Sequence, residues 1–441
     1  MAFFSKFFNP EYYCLVLGGG GAKGAYQIGA WRALVEDNIK FNCVIGSSVG
    51  ALNGAFIVQN DYEKALKIWE NISTDMIVDI PKEFIKDGLF HISKNSLAYL
   101  TDLQKKIFSN KGLDTSPLQK MIKEFLIEEK IRKSGADFGI VTFELERFKP
   151  IEVFLEDVEL GKLSAYLMAS STLPGFKKTK IEGKSYVDGG FNDLVPFNIA
   201  RNRGYNKIIA IDISGVGIKR KAEIYGTNII YIRNSMDMGS ILDFSPDISK
   251  RNIKMGYLDT LKALQKCEGI DYFYKEDRRL ADNIEMAFFN GEVFENYKKY
   301  LLEDIKFNFE DIRASLKNCL PREERYHKNF FVPFMERTAT ALKVEKLELY
   351  ELKDFLKKIM EKYRLLYEIK FKEQNKFDAF LNNIKITQTI INKSFIKDND
   401  ILPYLLSLDI DDKLYLSALG NLFPDYIPSK IFIEVLKKIK F

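Results

Sequence analysis

A short segment near the amino end, residues 46–50, has the sequence Gly-Ser-Ser-Val-Gly and follows the apolar run Phe41 to Ile45. A Gly-x-Ser-x-Gly motif between a strand and a helix is typical of a nucleophile elbow, a sharp turn that exposes one serine above a sheet. Flanking glycines are needed because a Cβ at Gly46 or Gly50 would crowd the turn. The pattern predicts that Ser48 is a nucleophile, provided that its partners occur elsewhere in the chain.

The base that would activate this serine is the next question. The chain has only two histidines, His91 and His327, and a Ser-His-Asp triad needs one of them beside the serine. Both are expected to be ordinary surface or partly buried side chains. We therefore expect a carboxylate as the base.

Asp188 is the strongest candidate for that carboxylate. It follows a short β-like run and precedes Gly189 and Gly190, so its side chain should emerge where a strand ends. The alternative is an ordinary Asp-Gly turn, which is common in proteins. The motif therefore has to be weighed together with the others.

A third motif lies close to the amino end, where an apolar strand from Tyr12 to Leu17 runs into a glycine-rich turn. The turn, residues 18–24, has the sequence Gly-Gly-Gly-Gly-Ala-Lys-Gly and precedes a helical pattern. Backbone N–H groups can converge in such a turn, and the helix amino end adds partial positive charge. The segment predicts an anion site, either for a phosphate or for the oxyanion of an acyl-transfer intermediate.

The same glycines also fit a dinucleotide-binding fingerprint, through Gly19, Gly21 and Gly24. That fingerprint requires an acidic residue at the end of the second strand, and this position leads directly into the elbow. A phosphate-binding loop of the Walker type is excluded because Ala22 precedes Lys23 and a glycine follows it. Dinucleotide binding is therefore the less favoured alternative.

Together the three motifs resemble those of the patatin-like phospholipases. Residues 19–24 are similar to the oxyanion-hole motif of that family, residues 46–50 to its elbow, and residues 188–190 to its Asp-Gly-Gly motif. Residues 169–176 also resemble the segment that precedes the family aspartate. The resemblance extends to Gly215 and less clearly beyond it.

This resemblance implies a three-layer α/β/α hydrolase with a mainly parallel central sheet. It also implies a Ser48-Asp188 dyad without histidine that hydrolyses phospholipids, lysophospholipids or related acyl lipids, with no metal or other cofactor. A buried site would make the aspartate more basic than its ordinary pKa of about 3.9 allows. The other site residues that the motifs imply are Gly19, Gly20 and Gly21 in the oxyanion hole, Lys23 and Gly24 in support of that loop, Gly46 and Gly50 in the elbow, and Gly189 and Gly190 after the aspartate.

The chain divides into two regions by pattern. Strand and helix patterns alternate in the first part, which favours a parallel sheet with helices on its faces. From around Ile270 onward glycine is rare and helical periodicity dominates. We predict a hydrolase domain over residues 9–268 and a mainly helical region of unknown role over residues 269–441.

Composition limits the partners and the location. A net charge of +5 gives no case for nucleic-acid binding, and the four cysteines lack metal-ligand spacing. No signal-peptide pattern appears, and no apolar run reaches the roughly 18 residues of a membrane span. We expect a cytoplasmic protein with an acyl-lipid substrate, and with peripheral membrane contact through Lys177, Lys178 and Lys180 as one option against a plain solvated loop. The sequence leaves the oligomeric state open, and a non-catalytic lipid-binding protein that keeps the fold is the contrary class.

Overall fold

The computed structural model describes residues 12–80, 85–90, 112–191, 194–215, 225–301, 308–365, 401–407 and 413–439. These residues fall into two compact units, which divide between Gln265 and Lys266. His91 and the first residues of the predicted hydrolase domain lie outside the described residues. The domain assignment made above stays a prediction, although the division of the chain falls close to it.

The described residues of the first unit form ten strands. They are β1 Tyr12–Leu17, β2 Lys40–Ser47, β3 Ile85–Lys86, β4 Leu89–Phe90, β5 Asp137–Glu144, β6 Lys149–Phe154, β7 Thr179–Ile181, β8 Lys184–Asp188, β9 Lys207–Asp212 and β10 Asn228–Arg233. Except for the small hairpin of β3 and β4, they form one eight-stranded sheet. Its strands β10, β9, β1, β2 and β5 lie side by side in that order and are all parallel.

The remaining three strands of this sheet are antiparallel to the strands they pair with. β6 and β8 are both antiparallel to β5, and β7 is antiparallel to β8. The expected mainly parallel sheet is therefore confirmed, with an antiparallel portion that the sequence patterns did not reveal.

Helices of the first unit connect the strands. They are α1 Ala25–Glu36, α2 Val49–Gln59, α3 Tyr62–Glu70, α4 Ser116–Phe125, α5 Glu128–Lys133, α6 Leu163–Ser170, α7 Phe197–Asn202 and α8 Pro246–Ala263. Strands β1, β2 and β9 are buried on both faces, as expected when helices cover a parallel sheet from both sides.

Each face of the sheet has its own core. Alternate side chains of β1 and β2, among them Val16 and Ile45, form a buried cluster with Phe197 of α7. On the opposite face α2 approaches so closely that a Cβ added at Gly54 would lie 3.1 Å from Val44. Helices α1 and α3 pack against α2, and α8 packs along α1. The result is the three-layer α/β/α arrangement that the sequence predicts.

Strand β5 brings the ends of two other strands together. Its residues 137–141 pair with β2, and its residues 142–144 pair with β8. Strand β6 pairs with β5 over residues 139–144 and so occupies one edge along that stretch. Because a strand has only two edges for hydrogen bonding, β2 and β8 must share the other edge. They meet there carboxyl end to carboxyl end.

This meeting point sets the position of the candidate site. Ser47 is opposite Val141, and Asp188 is opposite the next residue, Thr142. Neighbouring residues of one strand lie about 3.3 Å apart along its length. The end of the elbow strand and the candidate base are therefore neighbours through the register of the sheet.

The second unit is mainly helical. Its elements are β11 Phe273–Lys275, α9 Arg278–Phe288, α10 Gly291–Tyr297, α11 Phe309–Asn318, α12 Val332–Ala341, β12 Leu349–Glu351, α13 Leu352–Leu365, α14 Ile401–Ser407, α15 Lys413–Leu422 and α16 Tyr426–Lys438. Leu352, Phe355 and Ile359, which recur at helical spacing along α13, are buried in its core. Among the described residues of the whole chain, no helix has the length and apolar character needed to cross a bilayer.

Candidate active site

Ser48 occupies a strained turn between β2 and α2. Its backbone has φ 56° and ψ −129°, a conformation that residues other than glycine rarely adopt. A Cβ added at Gly46 would lie 2.3 Å from the Gly50 carbonyl oxygen, and one at Gly50 would lie 2.3 Å from the Leu17 carbonyl oxygen. Both distances are shorter than any contact that carbon atoms tolerate, so the elbow needs glycine at both positions.

The backbone of the elbow is held by Ser170 at the end of α6. The Ser48 N–H donates to the Ser170 Oγ at 2.9 Å, and that hydroxyl donates to the Val141 carbonyl oxygen at 2.6 Å. All three residues are buried, where an unpaired polar group costs about 1–3 kcal/mol. The Ser170 side chain thus connects the strained turn to the central strand β5.

Asp188 ends β8 and is only 5% exposed. Its N–H donates to the Thr172 carbonyl oxygen at 2.8 Å, and its Oδ1 accepts from the Gly190 N–H at 2.7 Å. Its Oδ2 is buried and has no hydrogen-bond partner. An orphan carboxylate oxygen is unusual in a folded protein and calls for an explanation such as a catalytic role.

Burial changes the acidity of this carboxyl. Desolvation raises the pKa of Asp188 to about 6, and the nearby Ser48 hydroxyl and the hydrogen bond from the Gly190 N–H only partly oppose it. This is the direction expected for an acid whose charged form has lost water. Asp188 is therefore a stronger base than an exposed aspartate and still largely ionised at neutral pH.

Ser48 and Asp188 lie close together. The serine hydroxyl is near enough to lower the pKa of the aspartate, but the contact lacks the geometry of an ordinary hydrogen bond, since Oδ2 has no such partner. A Cβ added at Gly189 would lie 2.9 Å from the Ser47 Oγ, which also shows how tightly the two strand ends meet. Catalytic contacts in free enzymes are commonly loose and tighten when substrate binds.

The glycine loop between β1 and α1 passes beside the same serine. A Cβ added at Gly19 would lie 3.1 Å from the Ser48 Cβ. The Gly19 N–H donates to the Leu194 carbonyl oxygen at 2.9 Å, so it is already engaged. Within the described part of the chain, the N–H groups of Gly20 and Gly21 have no backbone acceptor. These two amides are the ones that remain available to an oxyanion.

Lys23 contacts the loop that follows β9. Its Nζ donates to the Ser214 carbonyl oxygen at 3.0 Å. The Ala22 N–H donates to the Ile241 carbonyl oxygen at 2.8 Å. The glycine loop is therefore tied to two neighbouring segments, and Lys23 is in a position to support it.

A buried polar network holds both ends of the glycine loop. Gln27 Nε2 donates to the Gly18 carbonyl oxygen at 2.8 Å, and Asn53 Nδ2 donates to the Gly24 carbonyl oxygen at 2.9 Å. Asn53 also donates to Gln27 Oε1 at 2.8 Å and accepts from Trp69 Nε1 at 2.9 Å. Because Gln27 and Asn53 are almost fully buried, each bond restricts where the loop amides point.

Replacing Asn53 by alanine should loosen this loop. The change breaks three buried hydrogen bonds, so we expect the free energy of unfolding to fall by about 2–4 kcal/mol and ester hydrolysis to fall by roughly 10-fold or more. Urea unfolding and a hydrolysis assay measure the two effects. Asn71→Ala is the matched control, because that amide is exposed and donates to the Lys67 carbonyl oxygen, so its loss should change neither quantity by much. Equal effects of the two substitutions would contradict the role given to the network.

An apolar cavity of about 590 Å³ opens beside Ser48. Its wall is formed mainly by aliphatic and aromatic side chains, which include Leu52, Phe56, Ile68, Trp69, Ile72, Ile77, Leu118, Met121, Phe125, Leu173, Phe176 and Phe244. Such a wall suits a hydrocarbon chain and offers little to a charged ligand.

Other kinds of site are weakly represented. No group of three or more His, Cys, Asp or Glu side chains that could hold a metal occurs among the residues that the structure describes. His327 belongs to the second unit, where its Nδ1 contacts the backbone of Asn329. The Asp188 carboxyl is thus the titratable group found beside Ser48 in the described chain.

The family model of patatin-like phospholipases matches residues 15–201. That stretch contains the glycine loop, the elbow and Asp188. Residues 15–201 are a patatin-like phospholipase domain. The resemblance inferred from the motifs is thereby confirmed, and the patatin-like domain includes every residue assigned above to the glycine loop, the elbow and the Asp-Gly-Gly motif.

Curated relatives share this domain. The chain is 27% identical over 206 residues to patatin-like phospholipase domain-containing protein 7 of Rattus norvegicus, a match that covers 45% of this chain and 13% of the relative. It is 26% identical over 262 residues to lysophospholipase NTE1 of Saccharomyces cerevisiae, with 58% of this chain and 14% of the relative covered. The chain therefore spans only a small part of the length of these relatives. The crystal structure of VipD from Legionella pneumophila is 14% identical, with a TM-score of 0.38, over 98% of this chain and 94% of that chain.

Some residues that shape the patatin-like site were not predicted. Ser170 and Thr172 hold the backbones of Ser48 and Asp188, and Asn53 and Gln27 hold the glycine loop. The only available signal was the position of Ser170 and Thr172 in the segment that resembles the family pattern before the aspartate. Nothing in the sequence marked Asn53 or Gln27.

Proposed function

We propose that this protein is a lipid acyl hydrolase, of the phospholipase A or lysophospholipase kind, in which Ser48 and Asp188 form the catalytic dyad. The observation that carries the proposal is the buried, unpartnered Oδ2 of Asp188 beside a serine in a strained elbow. The domain that performs the reaction would comprise residues 9–268.

In the first half of the reaction the Ser48 Oγ attacks the ester carbonyl carbon and its proton passes to the Asp188 Oδ2. The carbonyl oxygen becomes an oxyanion, which the N–H groups of Gly20 and Gly21 would bind. Loss of one such donor typically costs about 10²–10³-fold in rate. When the tetrahedral intermediate collapses, the leaving alcohol takes the proton from Asp188, and the acyl group remains on Ser48.

In the second half a water molecule attacks the acyl-enzyme. Asp188 accepts a proton from that water, and the departing Ser48 oxygen then receives it. A base with a pKa of about 6 can perform both transfers near neutral pH, because it is ionised and yet not too weak to accept a proton. No metal or organic cofactor is required for these steps.

The cavity beside Ser48 supports an acyl chain as the group to be cleaved. Burial of apolar surface contributes about 25 cal/mol per Å², so a hydrocarbon chain in this cavity would bind strongly while its ester carbonyl remains at the serine. The names of the family and of the yeast relative agree with a lipid ester.

A fluorophosphonate probe tests the proposal directly. Such probes phosphonylate an activated serine, and we expect a single adduct on Ser48 by peptide mass spectrometry. Asp188→Asn should slow the labelling, whereas heat-denatured protein should not be labelled at all. An adduct on Ser47 would show that the neighbouring serine is the nucleophile.

The contrary class, a lipid-binding protein without catalysis, predicts a different result. A folded sample that resists the probe, both alone and with lipid vesicles present to open the cavity, would favour that class. Binding of a fatty acid by the same sample would confirm that its cavity is intact.

A further inference from the structure

The loop between α6 and β7 connects the cavity to the protein surface. Leu173 and Phe176 line the cavity that contains Ser48, whereas Pro174 and Gly175 between them are exposed. A Cβ added at Gly175 would have no atom within 4 Å. The tip of this loop therefore stands in open space while its sides form part of the cavity wall.

Backbone hydrogen bonds fix the position of this loop. The Leu113 N–H donates to the Gly175 carbonyl oxygen at 2.8 Å, and the Lys177 N–H donates to the Leu113 carbonyl oxygen at 2.9 Å. The hydroxyl groups of Thr172 and Thr179 are 2.7 Å apart and close the base of the loop. The side chains that follow the tip are thus presented from a defined place beside the cavity.

Three of those side chains are lysines. Lys177, Lys178 and Lys180 are exposed, and none of them forms an ion pair with a residue in the described part of the chain. Hydrogen bonds from Ser185 lower the pKa of exposed Glu146, and Lys178 contributes to the same effect. Exposed Glu182, close by in sequence, is already paired with Lys162, so the three lysines present unpaired positive charge beside the loop.

We propose that Lys177, Lys178 and Lys180 form a docking surface for anionic phospholipid bilayers, which places the cavity mouth against the lipid. Each lysine near an anionic membrane surface strengthens binding by about fivefold, so three should contribute roughly 100-fold. Salt weakens such attraction because the charges are exposed. The inference rests on the proposed function, because it takes the lipid at the cavity mouth to be the substrate.

The test measures binding apart from catalysis. The full chain carrying Ser48→Ala is mixed with vesicles of phosphatidylcholine alone or of phosphatidylcholine with phosphatidylglycerol, and the bound fraction is measured by sedimentation at low salt. We expect binding to the anionic vesicles only. Adding Lys177→Gln, Lys178→Gln and Lys180→Gln should weaken it by about 100-fold, and thermal unfolding should be unchanged because all three side chains are exposed.

A second triple substitution controls for net charge. Lys40, Lys130 and Lys133 are also exposed. Lys40 begins β2, Lys130 and Lys133 lie on α5 before the amino end of β5, and none of the three lines the cavity. Changing them to glutamine removes the same charge and should weaken binding by less than about fivefold. Equal weakening by the two triples, or absence of binding to anionic vesicles before either change, would overturn the proposal. With Ser48 present, the first triple should hydrolyse a soluble short-chain ester at the normal rate, so failure of docking is distinguishable from failure of the proposed chemistry.

Discussion

Ser48→Ala is expected to lower hydrolysis of a soluble ester by roughly 10⁴–10⁶-fold, the range seen when the nucleophile of a serine hydrolase is removed. The substitution removes the only atom of residue 48 that can form the acyl-enzyme, while the backbone bond to Ser170 and both elbow glycines remain. Initial rates with p-nitrophenyl butyrate, measured against the uncatalysed reaction, give the size of the loss.

Ser47→Ala is a matched control for that result. Ser47 is the preceding residue, is fully buried and has an Oγ with no hydrogen-bond partner. Its hydroxyl can therefore be removed without breaking a bond, and activity should stay within about threefold of the original protein, since the change leaves no buried polar group unpaired. Loss of activity in this variant with retention in Ser48→Ala would show that the register of the elbow is wrong.

Asp188→Asn is expected to lower the same activity by about 10²–10⁴-fold, the usual contribution of a general base. Asparagine can still accept the hydrogen bond from the Gly190 N–H through its Oδ1, but it cannot take a proton from Ser48 or from water. The pH profile provides the sharper test. In the original protein kcat/KM should rise with pH up to about 6, where Asp188 becomes ionised, and level off above it, whereas the variant should lack this step.

A folding measurement separates lost chemistry from lost structure. Burial raises the pKa of Asp188 above its ordinary value, so between about pH 4 and pH 6 the folded state holds a proton that the unfolded state has released. The stability supplied by this group is present at low pH and is lost as pH rises through the folded pKa. Asp188→Asn should therefore be no less stable than the original protein at pH 8 in urea unfolding. Marked destabilisation there would mean that the carboxylate has a structural role instead.

The strands and helices were predictable where single residues mark their boundaries. Strand β1 and helix α1 begin and end where the apolar run and the glycine turn place them. The apolar pattern of helix α6 starts at Leu160, but the helix begins at Leu163, because Gly161 has a φ of 86° that no α-helix accommodates. Patterns of apolar residues locate an element well and its first turn poorly.

The arrangement of the site was only partly predictable. The motifs pointed to Ser48 and Asp188. An alternation of apolar and polar residues indicates a strand but does not say which strand it pairs with, so the antiparallel pairing of β8 with β5 was not predicted. Three adjacent glycines are also equivalent in sequence. Only the fold shows that the Gly19 amide is used by Leu194, which leaves Gly20 and Gly21 as the better donors.

The strained backbone at residue 48 has a consequence for the history of this chain. Glycine adopts such angles without steric cost, whereas serine pays about 1–3 kcal/mol. In a homologue that no longer catalysed acyl transfer, mutation of this serine to glycine would stabilise the fold and would not be selected against. Serine at this point bears a conformational cost that glycine would avoid, as expected of a residue needed for its hydroxyl group, and a homologue with glycine in its place would be the natural candidate for a relative that only binds lipid.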